Sequence, residues 1–185
     1  MKKIVAISML AVLLFTFNAC VKPAATFDDA ANQTITTLKN KDLDTLETLI
    51  HPEKGVRLSP YATVDTKKDV ILKPFELNDG SSRLWGQYDG TGLPITLTLN
   101  EYFDKFVFSA DFENAPQIKK NEIIGSGNSL NNLEKVYGEA NFIEYHFPEF
   151  DPEMYGMDWQ SLRLVFEEYE GEFKLVGIIH DQWTI

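Results

Sequence analysis

The chain has little cysteine: Cys20 is the only one among 185 residues, so no intramolecular disulfide can form. Histidine is also scarce, with three in the whole chain, and the recognised zinc-binding spacings are absent. The nucleophile elbow, the P-loop, the dinucleotide fingerprint and the zinc-protease helix do not occur either. Local motifs therefore predict no cofactor and identify no catalytic class.

Positive charge is scarce as well, because 17 lysines and arginines face 28 aspartates and glutamates, for a formal net charge of −11. An acidic surface repels the phosphates of nucleic acids and the headgroups of anionic lipids. The composition therefore argues against nucleic-acid binding and against a basic membrane-docking patch. It favours solubility and, secondarily, cationic partners or loosely held divalent metal.

Long apolar runs are confined to the amino terminus, where Lys2 and Lys3 precede the uncharged run over residues 4–17. A basic start, an apolar stretch and then small or polar residues are typical of a secretory signal peptide. The run is shorter than the roughly 20 residues that a permanent transmembrane helix needs. We therefore predict a cleaved signal over residues 1–19.

The segment Phe17-Asn18-Ala19-Cys20 resembles the lipobox of bacterial lipoproteins, in which the cysteine is acylated and becomes the new amino terminus. The resemblance implies lipidation of Cys20 and a short tether over 20–25. It places the protein at the outer face of the cell membrane, or at the outer membrane of a Gram-negative host. Several acyl chains make such an anchor stable. Cleavage removes Lys2 and Lys3 and takes the formal charge from −11 to −13.

Helical patterns dominate the start of the mature part. Thr26 and Asp29 form a capping-box pattern before apolar residues that recur at helical spacing up to Leu38. Asp42 can cap a second, shorter helix. Aromatic residues on one broad face predict a third helix from Asn100.

Strand patterns separated by turns fill most of the remaining chain. The turns Asn78-Asp79-Gly80 and Glu170-Gly171 predict antiparallel hairpins. Alternation around Arg163 predicts one buried sheet face, and the last strand is predicted to bury Trp183. The predicted strands cover 56–59, 70–77, 83–88, 95–99, 139–147, 162–169 and 173–183. Helices followed by a mostly antiparallel sheet predict a single α+β domain over 26–185.

This order of elements resembles the NTF2-like superfamily, which includes nuclear transport factor 2, ketosteroid isomerase and SnoaL-type proteins. The resemblance also rests on residues 38–59 (LKNKDLDTLETLIHPEKGVRLS) and on the ending LVGIIHDQWTI. This tail also resembles that of exported envelope proteins of low-GC Gram-positive bacteria. The resemblance implies a cone in which the amino-terminal helices cover a curved, mostly antiparallel sheet. The pocket of such a cone serves catalysis, ligand binding or dimerisation, so a homodimer is one expectation and the fold leaves the function open.

For catalysis, the resemblance directs attention to a carboxylate inside the cone paired with a tyrosine or histidine. The catalytic candidates are Asp181, His180, Tyr61 and Tyr88. His146 and His180 are weak metal candidates, because they can approach each other only if their strands are neighbours. We expect no metal site.

The stretch 147–159 is dense in aromatic residues, methionines and acids, and its prolines exclude a regular strand or helix. A calcium-loop interpretation fails because Met154 stands where such a loop needs glycine. Tyr155, Met157 and Trp159 are predicted to be partly exposed at the rim of the pocket and to contact a ligand or partner. The alternative is a loop that closes the core. The glycine-rich stretch 125–129 contains no basic residue and is predicted to be a flexible turn rather than a phosphate loop.

These observations favour a membrane-anchored envelope lipoprotein that binds a small apolar or amphipathic ligand, or a protein partner, without catalysis. The alternative is an NTF2-like enzyme, of isomerase, hydrolase or lyase type, acting on a small organic substrate. A pocket with a buried carboxylate of raised pKa beside a tyrosine or histidine would favour the enzyme. An apolar or filled pocket would favour binding.

The anchor is directly testable. Because Cys20 is the only residue that can carry the lipid, Cys20→Ala should move the protein from the membrane fraction to the soluble envelope fraction or the medium. Fractionation and immunoblotting measure the distribution, and mass spectrometry of the amino terminus confirms that the signal is cleaved. Membrane retention of the cleaved variant would rule out a lipid anchor at this position.

Overall fold

A computed structural model describes residues 26–184, so the predicted signal, Cys20 and the tether lie outside the described part. The helices are α1 (Phe27–Asn40), α2 (Leu43–Leu49), α3 (Leu99–Tyr102) and α4 (Leu133–Tyr137). The strands are β1 (Val56–Ser59), β2 (Val70–Leu72), β3 (Arg83–Gln87), β4 (Pro94–Leu97), β5 (Gln117–Lys120), β6 (Asn141–Phe147), β7 (Gln160–Tyr169) and β8 (Glu172–Gln182). No helix within 26–184 is long and apolar enough to cross a membrane.

The first two helices begin where their capping residues predict. The Thr26 hydroxyl accepts a hydrogen bond from the Asp29 amide at 3.2 Å, and the Asp29 carboxylate accepts one from the Thr26 amide at 3.0 Å. This reciprocal pair satisfies two amides that the first helical turn leaves free. Lys41 ends α1 in the left-handed conformation, and the Asp42 carboxylate then caps α2. The apolar face of α1 lies on the core.

Six strands form the main sheet in the order β2-β1-β8-β7-β6-β5. Neighbouring strands are antiparallel except for β1 and β8, which are parallel. The predicted α+β architecture, with helices on a mostly antiparallel sheet, is confirmed. The hairpin at Glu170-Gly171 is also confirmed, and both of its turn residues have positive φ, as a tight two-residue turn requires.

The prediction for Asn78-Asp79-Gly80 was wrong, because this turn does not join paired strands. Pro74 follows β2 and begins a short 3₁₀ turn, so the strand ends at Leu72. β2 pairs with β1, whereas β3 and β4 form a separate two-stranded sheet. Two further elements, β5 and α4, are absent from the sequence prediction. Every residue of β5 is exposed, so it has no alternation to detect.

Both faces of the main sheet are covered. On one face α1, α2 and α3 enclose the larger core, in which Trp85 stacks on Tyr102 with ring centroids 4.2 Å apart. On the other face a smaller cluster joins Phe142, Val165 and Ile179 to α4 and to nearby loop residues. The prediction of a single buried face was therefore wrong. Arg163 points to the second face and is completely buried.

The carboxy-terminal strand is central to the sheet, because β8 pairs with β7 on one side and with β1 on the other. Ile178 contributes to the core on the helical face and Ile179 to the cluster on the second face. Trp183 follows the strand and is 41% exposed, so the prediction that it is buried was wrong. Trp183 lies just beyond Gln182, the last residue of β8, so its side chain is outside the paired strand.

Deleting residues 178–185 should abolish cooperative thermal unfolding. The deletion removes Ile178, Ile179 and the pairing partners of β1 from the middle of the sheet, and each large core side chain contributes about 2–5 kcal/mol. Calorimetry or circular dichroism measures the transition. Trp183→Ala serves as the control and should cost less than these core residues, since this side chain is partly exposed. A cooperative transition at the wild-type temperature in the deletion variant would contradict the central role of β8.

Candidate functional site

The most concentrated chemistry in the described chain is a buried charge network on the second sheet face. The Arg163 guanidinium lies between two carboxylates: Nε is 2.9 Å from Glu144 Oε2, and Nη1 is 2.9 Å from Asp181 Oδ2. All three side chains are almost inaccessible to solvent. We refer to Glu144, Arg163 and Asp181 as the buried triad.

The register of three adjacent strands brings the triad together. Glu144 on β6 lies directly opposite Arg163 on β7. Asp181 on β8 lies opposite Ser161, two residues before Arg163, and the same Ser161 lies opposite His146. Because alternate side chains share a sheet face, these five residues all project to the second face. The Ser161 hydroxyl donates to Glu144 Oε1 at 2.6 Å and lies 2.8 Å from His146 Nδ1.

The loop before α4 completes the coordination of the triad. The amides of Ile124 and Gly125 donate to the Glu144 carboxylate at 3.0 and 2.8 Å, and Arg163 donates to the Gly125 carbonyl at 2.8 Å. Gly125 is required because a Cβ atom there would lie 2.4 Å from Ser161 Oγ and 2.7 Å from Trp159 Cζ3. Two backbone amides at the start of this glycine-rich stretch do converge on an anion, but that anion is a carboxylate of the protein itself.

Trp159 covers this site, and its predicted exposure was therefore wrong. Its side chain is 6% exposed, its ring centroid is 5.7 Å from that of His146, and it contacts Gly125 and Gly127. For Trp159 the alternative interpretation of this loop is therefore the correct one, because its side chain closes the second face. Tyr155 and Met157 remain exposed at 87% and 46%.

Burial raises the pKa of both carboxyl groups of the triad, and Arg163 lowers it. The net shift is downward for Glu144 and upward for Asp181. Burial is the largest effect on Glu144, but Arg163, Ser161 and the Ile124 amide together outweigh it and lower its pKa. For Asp181, burial outweighs the attraction of Arg163 and raises the pKa to about 6. A raised pKa alone does not make Asp181 a catalytic base here, because the carboxylate is enclosed and paired with Arg163. We therefore interpret the triad as structural.

The two histidines that were candidate metal ligands lie apart. β7 separates their strands, and the alternation of side chains places them on opposite faces of the sheet. His146 contacts Trp159, whereas the His180 ring lies against Phe106 on the helical face. Within residues 26–184, no group of three or more His, Cys, Asp or Glu side chains can hold a metal ion.

The four catalytic candidates are also divided. His180, Tyr61 and Tyr88 each contact the Phe106 ring, with centroids 5.8, 6.0 and 6.4 Å away. Burial lowers the pKa of His180 to about 4, so this ring is neutral at neutral pH. Asp181 is on the opposite face with Arg163, and the pairing of Asp181 with Tyr61 or Tyr88 does not occur.

An open groove lies beside Tyr61. It has a volume of about 540 Å³ and lies between the segment that follows β1 and strand β3. A second pocket of about 430 Å³ adjoins it, shares Tyr61 and Gln87, and extends along Tyr88. We call the larger cavity the Tyr61 groove. The lining residues used below are Pro60, Tyr61, Asp65, Lys68, Asp69 and Leu84.

The groove contains a carboxylate that the sequence analysis missed. Asp69 Oδ2 accepts hydrogen bonds from the Ser59 hydroxyl and from the Asp65 amide, the latter at 2.9 Å. Burial raises the pKa of this group, against the opposing effects of Ser59, the Asp65 amide and Arg57. The segment carries no recognised motif. Only the folding of residues 60–69 against β1 brings Asp69 to Ser59 and into the cavity.

The exposed loop that contains Tyr155 is held in a defined shape. The Asp158 carboxylate accepts hydrogen bonds from the Phe150 and Asp151 amides at 3.1 and 2.7 Å. Phe150, Met154, Tyr155 and Met157 are each between 45% and 87% exposed. The loop therefore presents apolar side chains on an ordered backbone.

In comparisons with known proteins, no model of a protein family and no curated protein matches this chain. The fold and the site define an α+β protein with a buried Glu–Arg–Asp network in its sheet and an open groove beside Tyr61.

Arg163→Met tests the buried triad. In the wild type, the lowered pKa of Glu144 contributes stability above its unfolded pKa, and this contribution is lost as the pH falls. Without the guanidinium, both buried carboxyl groups should have raised pKa values. We expect a loss of about 3–5 kcal/mol at pH 7 that shrinks as the pH falls towards 5, because protonation removes the uncompensated charge.

Urea unfolding at both pH values measures this difference. Lys39→Met is the matched control, because Lys39 forms a surface ion cluster with Asp111 and Glu113. Such surface pairs contribute about 0–1 kcal/mol, so the control should change little at either pH. A loss in Arg163→Met that is small, or that grows as the pH falls, would contradict the electrostatic role of the triad.

Proposed function

We propose that this protein is an exported lipoprotein, acylated at Cys20, which binds a small apolar or amphipathic ligand without catalysis in the Tyr61 groove. The groove itself carries this proposal. Its volume of about 540 Å³ is within the range of small-molecule sites. Its wall combines apolar surface, including Leu84 at 60% exposure, with a few polar side chains.

The positions of the start of the described chain and of the groove, at opposite ends of the sheet, support this proposal. Phe27, next to the start of the described chain, packs on Phe166 and Phe173 beside the β7–β8 hairpin. The groove begins after Ser59, which pairs with Ile179 towards the other end of β8. β7 has 10 residues, which span roughly 33 Å. A lipid attached a few residues before Thr26 would leave the groove and the Tyr155 loop at the far end from the membrane.

The NTF2-like resemblance is part of the same proposal. Helices followed by a mostly antiparallel sheet with long carboxy-terminal strands support it. The helical face, where the resemblance implies a pocket, is filled by buried aromatic side chains such as Trp85, Tyr102 and Phe106. A filled interior favours binding over catalysis. It also moves the proposed ligand to the margin of the core, where Tyr61 is half-buried.

The enzyme remains the second candidate because of one observation: Asp69, whose pKa is raised by burial, and Tyr61 line the same groove. This arrangement has the elements of an acid–base site. Two contacts weigh against it. The Tyr61 hydroxyl accepts a hydrogen bond from the Asp89 amide at 3.1 Å, and Asp69 Oδ2 is occupied by two donors. The Tyr61 hydroxyl thus has a backbone partner, and Asp69 is held in place through one of its two oxygens.

The proposal includes a protein partner that binds the exposed loop around Tyr155. Tyr155 and Met157 are its accessible side chains, and aromatic anchors often carry a large share of interface energy. This surface lies in the loop between β6 and β7 and is not part of the Tyr61 groove. Ligand binding and partner binding can therefore be separated by mutation.

Native mass spectrometry of the acylated protein, extracted mildly from host membranes, tests the groove. We expect wild type to carry a small-molecule mass beyond its acyl chains, and Leu84→Asn to lose it because a neutral polar amide replaces apolar wall surface. Leu130→Asn is the matched control: Leu130 is 74% exposed and does not line the groove. Absence of extra mass in all three proteins, or its retention in Leu84→Asn, would contradict the proposal.

Asp69→Asn separates binding from catalysis in the same assay. If the protein only binds, the variant should still carry the wild-type ligand mass or a reduced amount of it. If it is an enzyme that uses Asp69, turnover should fall by about 100-fold or more, and unreacted substrate should accumulate in the groove. A different, heavier or more abundant retained molecule in Asp69→Asn would therefore overturn the non-catalytic reading.

A further inference from the structure

We infer that the Tyr61 groove selects a small organic amine, whose ammonium group pairs with Asp69 while its apolar body lies against Leu84 and Tyr61. The inference rests on the proposed binding function and specifies the chemical class of the ligand. It follows from the charges, hydrogen bonds and exposed surfaces within one cavity.

The first step is the hydrogen bonding of Asp69. Both donors within the described chain, the Ser59 hydroxyl and the Asp65 amide, bind the same oxygen, Oδ2. Oδ1 accepts no hydrogen bond from residues 26–184. The carboxylate is thus held in place through one oxygen, while the other keeps its capacity to accept. A hydrogen bond from a positively charged donor to this oxygen would be stronger than one from a neutral donor.

The second step is the balance of charge in the groove. Lys68 is the only basic side chain among the groove residues, and its Nζ is 3.8 Å from Asp65 Oδ2. Asp65 Oδ1 also accepts from the amides of Lys67 and Lys68 at 3.0 and 3.2 Å. Lys68 thus forms a long, solvent-exposed ion pair with Asp65 and none with Asp69. No lysine or arginine within 26–184 forms a direct ion pair with Asp69, although Arg57 influences its pKa from farther away.

The third step is the apolar surface beside this carboxylate. Leu84 is 60% exposed, and Pro60 and Tyr61 form neighbouring parts of the wall. An apolar body can bury this surface while a positive head approaches Asp69. The acidity of the whole chain adds to the local effect, because a negative surface concentrates cations and repels anions. A neutral or anionic ligand of the same shape lacks the interaction with Asp69.

Three probes of similar size test the inference: benzylamine, which is cationic, benzyl alcohol, which is neutral, and benzoate, which is anionic. Titration calorimetry on the acylated protein in phosphatidylcholine nanodiscs measures the dissociation constants, and NMR shifts of Leu84 and Tyr61 locate binding. We expect benzylamine to bind about 10-fold or more tightly than benzyl alcohol. Benzoate should bind least. Empty nanodiscs correct for partition into lipid.

Variants assign the preference to Asp69. Asp69→Asn keeps the shape and one acceptor oxygen and should bring benzylamine to the affinity of benzyl alcohol. Leu84→Ala should weaken both probes, and as an exposed residue it should leave folding intact. Glu168→Gln removes one charge from an exposed position on β7 outside the groove and should leave the amine preference unchanged. Melting temperature and the NMR spectrum verify that each variant is folded.

Acid provides a test on the unaltered protein. Benzylamine stays protonated as the pH falls, whereas Asp69 becomes neutral, so its affinity should fall towards that of benzyl alcohol as the carboxyl group titrates. If Asp69→Asn proves unfolded, this pH dependence and the Leu84→Ala result decide the question. An amine preference that persists in acid would overturn the role of Asp69.

Other outcomes separate this inference from the proposed function. Equal binding of benzylamine and benzyl alcohol at Leu84 would overturn the amine preference but leave ligand binding in the groove intact. No binding of any probe would overturn the amine inference, and native mass spectrometry would then decide the proposed function by itself. Binding of Nα-acetyl-lysine amide without binding of benzylamine would show a site for the basic side chain of a protein, contrary to the inference.

Discussion

The structure around the second sheet face depends on the buried Arg163 guanidinium. A charge removed from water needs an opposite charge beside it and a hydrogen-bond acceptor for each of its donors. Glu144 and Asp181 supply the negative charge from the two strands that flank β7. The loop around Gly125 supplies amides for Glu144 and a carbonyl for Arg163. Trp159 then excludes water from the assembly. The route of an irregular loop, the need for a glycine and the burial of an indole all follow from one cation at the centre of the sheet.

Covering the second face limits where this protein can meet other molecules. Helices α1, α2 and α3 cover one side of the sheet, and α4, the loop around Gly125 and the Trp159 side chain cover the other. Two accessible features lie at the margins of the sheet: a groove beside Tyr61 at the end of β1, and the apolar loop between β6 and β7. Both lie away from the β7–β8 hairpin, near which Phe27 begins α1. A lipid anchor at Cys20 and a binding surface at the opposite end would be mutually consistent.

Asp181 and Asp69 show that the location of an aspartate in the fold, rather than its residue type, decides whether it can bind a ligand. Asp181 has a pKa raised to about 6, but its carboxylate is enclosed and paired with Arg163. Asp69 is held by Ser59 and the Asp65 amide through one oxygen and lines an open cavity. Only Asp69 combines a defined position with access for a ligand. The same acidic side chain thus serves packing in one place and, in the proposal, recognition in the other.

Local signals in the sequence determined the elements whose causes are local. The Thr26–Asp29 capping box, the Asp42 cap and the Glu170-Gly171 turn depend on contacts within a few residues, and each is where the pattern predicts it. Tertiary structure alone decided that Trp159 is buried, that Arg163 is neutralised and that Asp69 enters a cavity. These outcomes depend on strand order and register, which join residues far apart in the chain. A single sequence records the residue types but not their pairing, because the free energy of each long-range contact exists only once the intervening chain has folded.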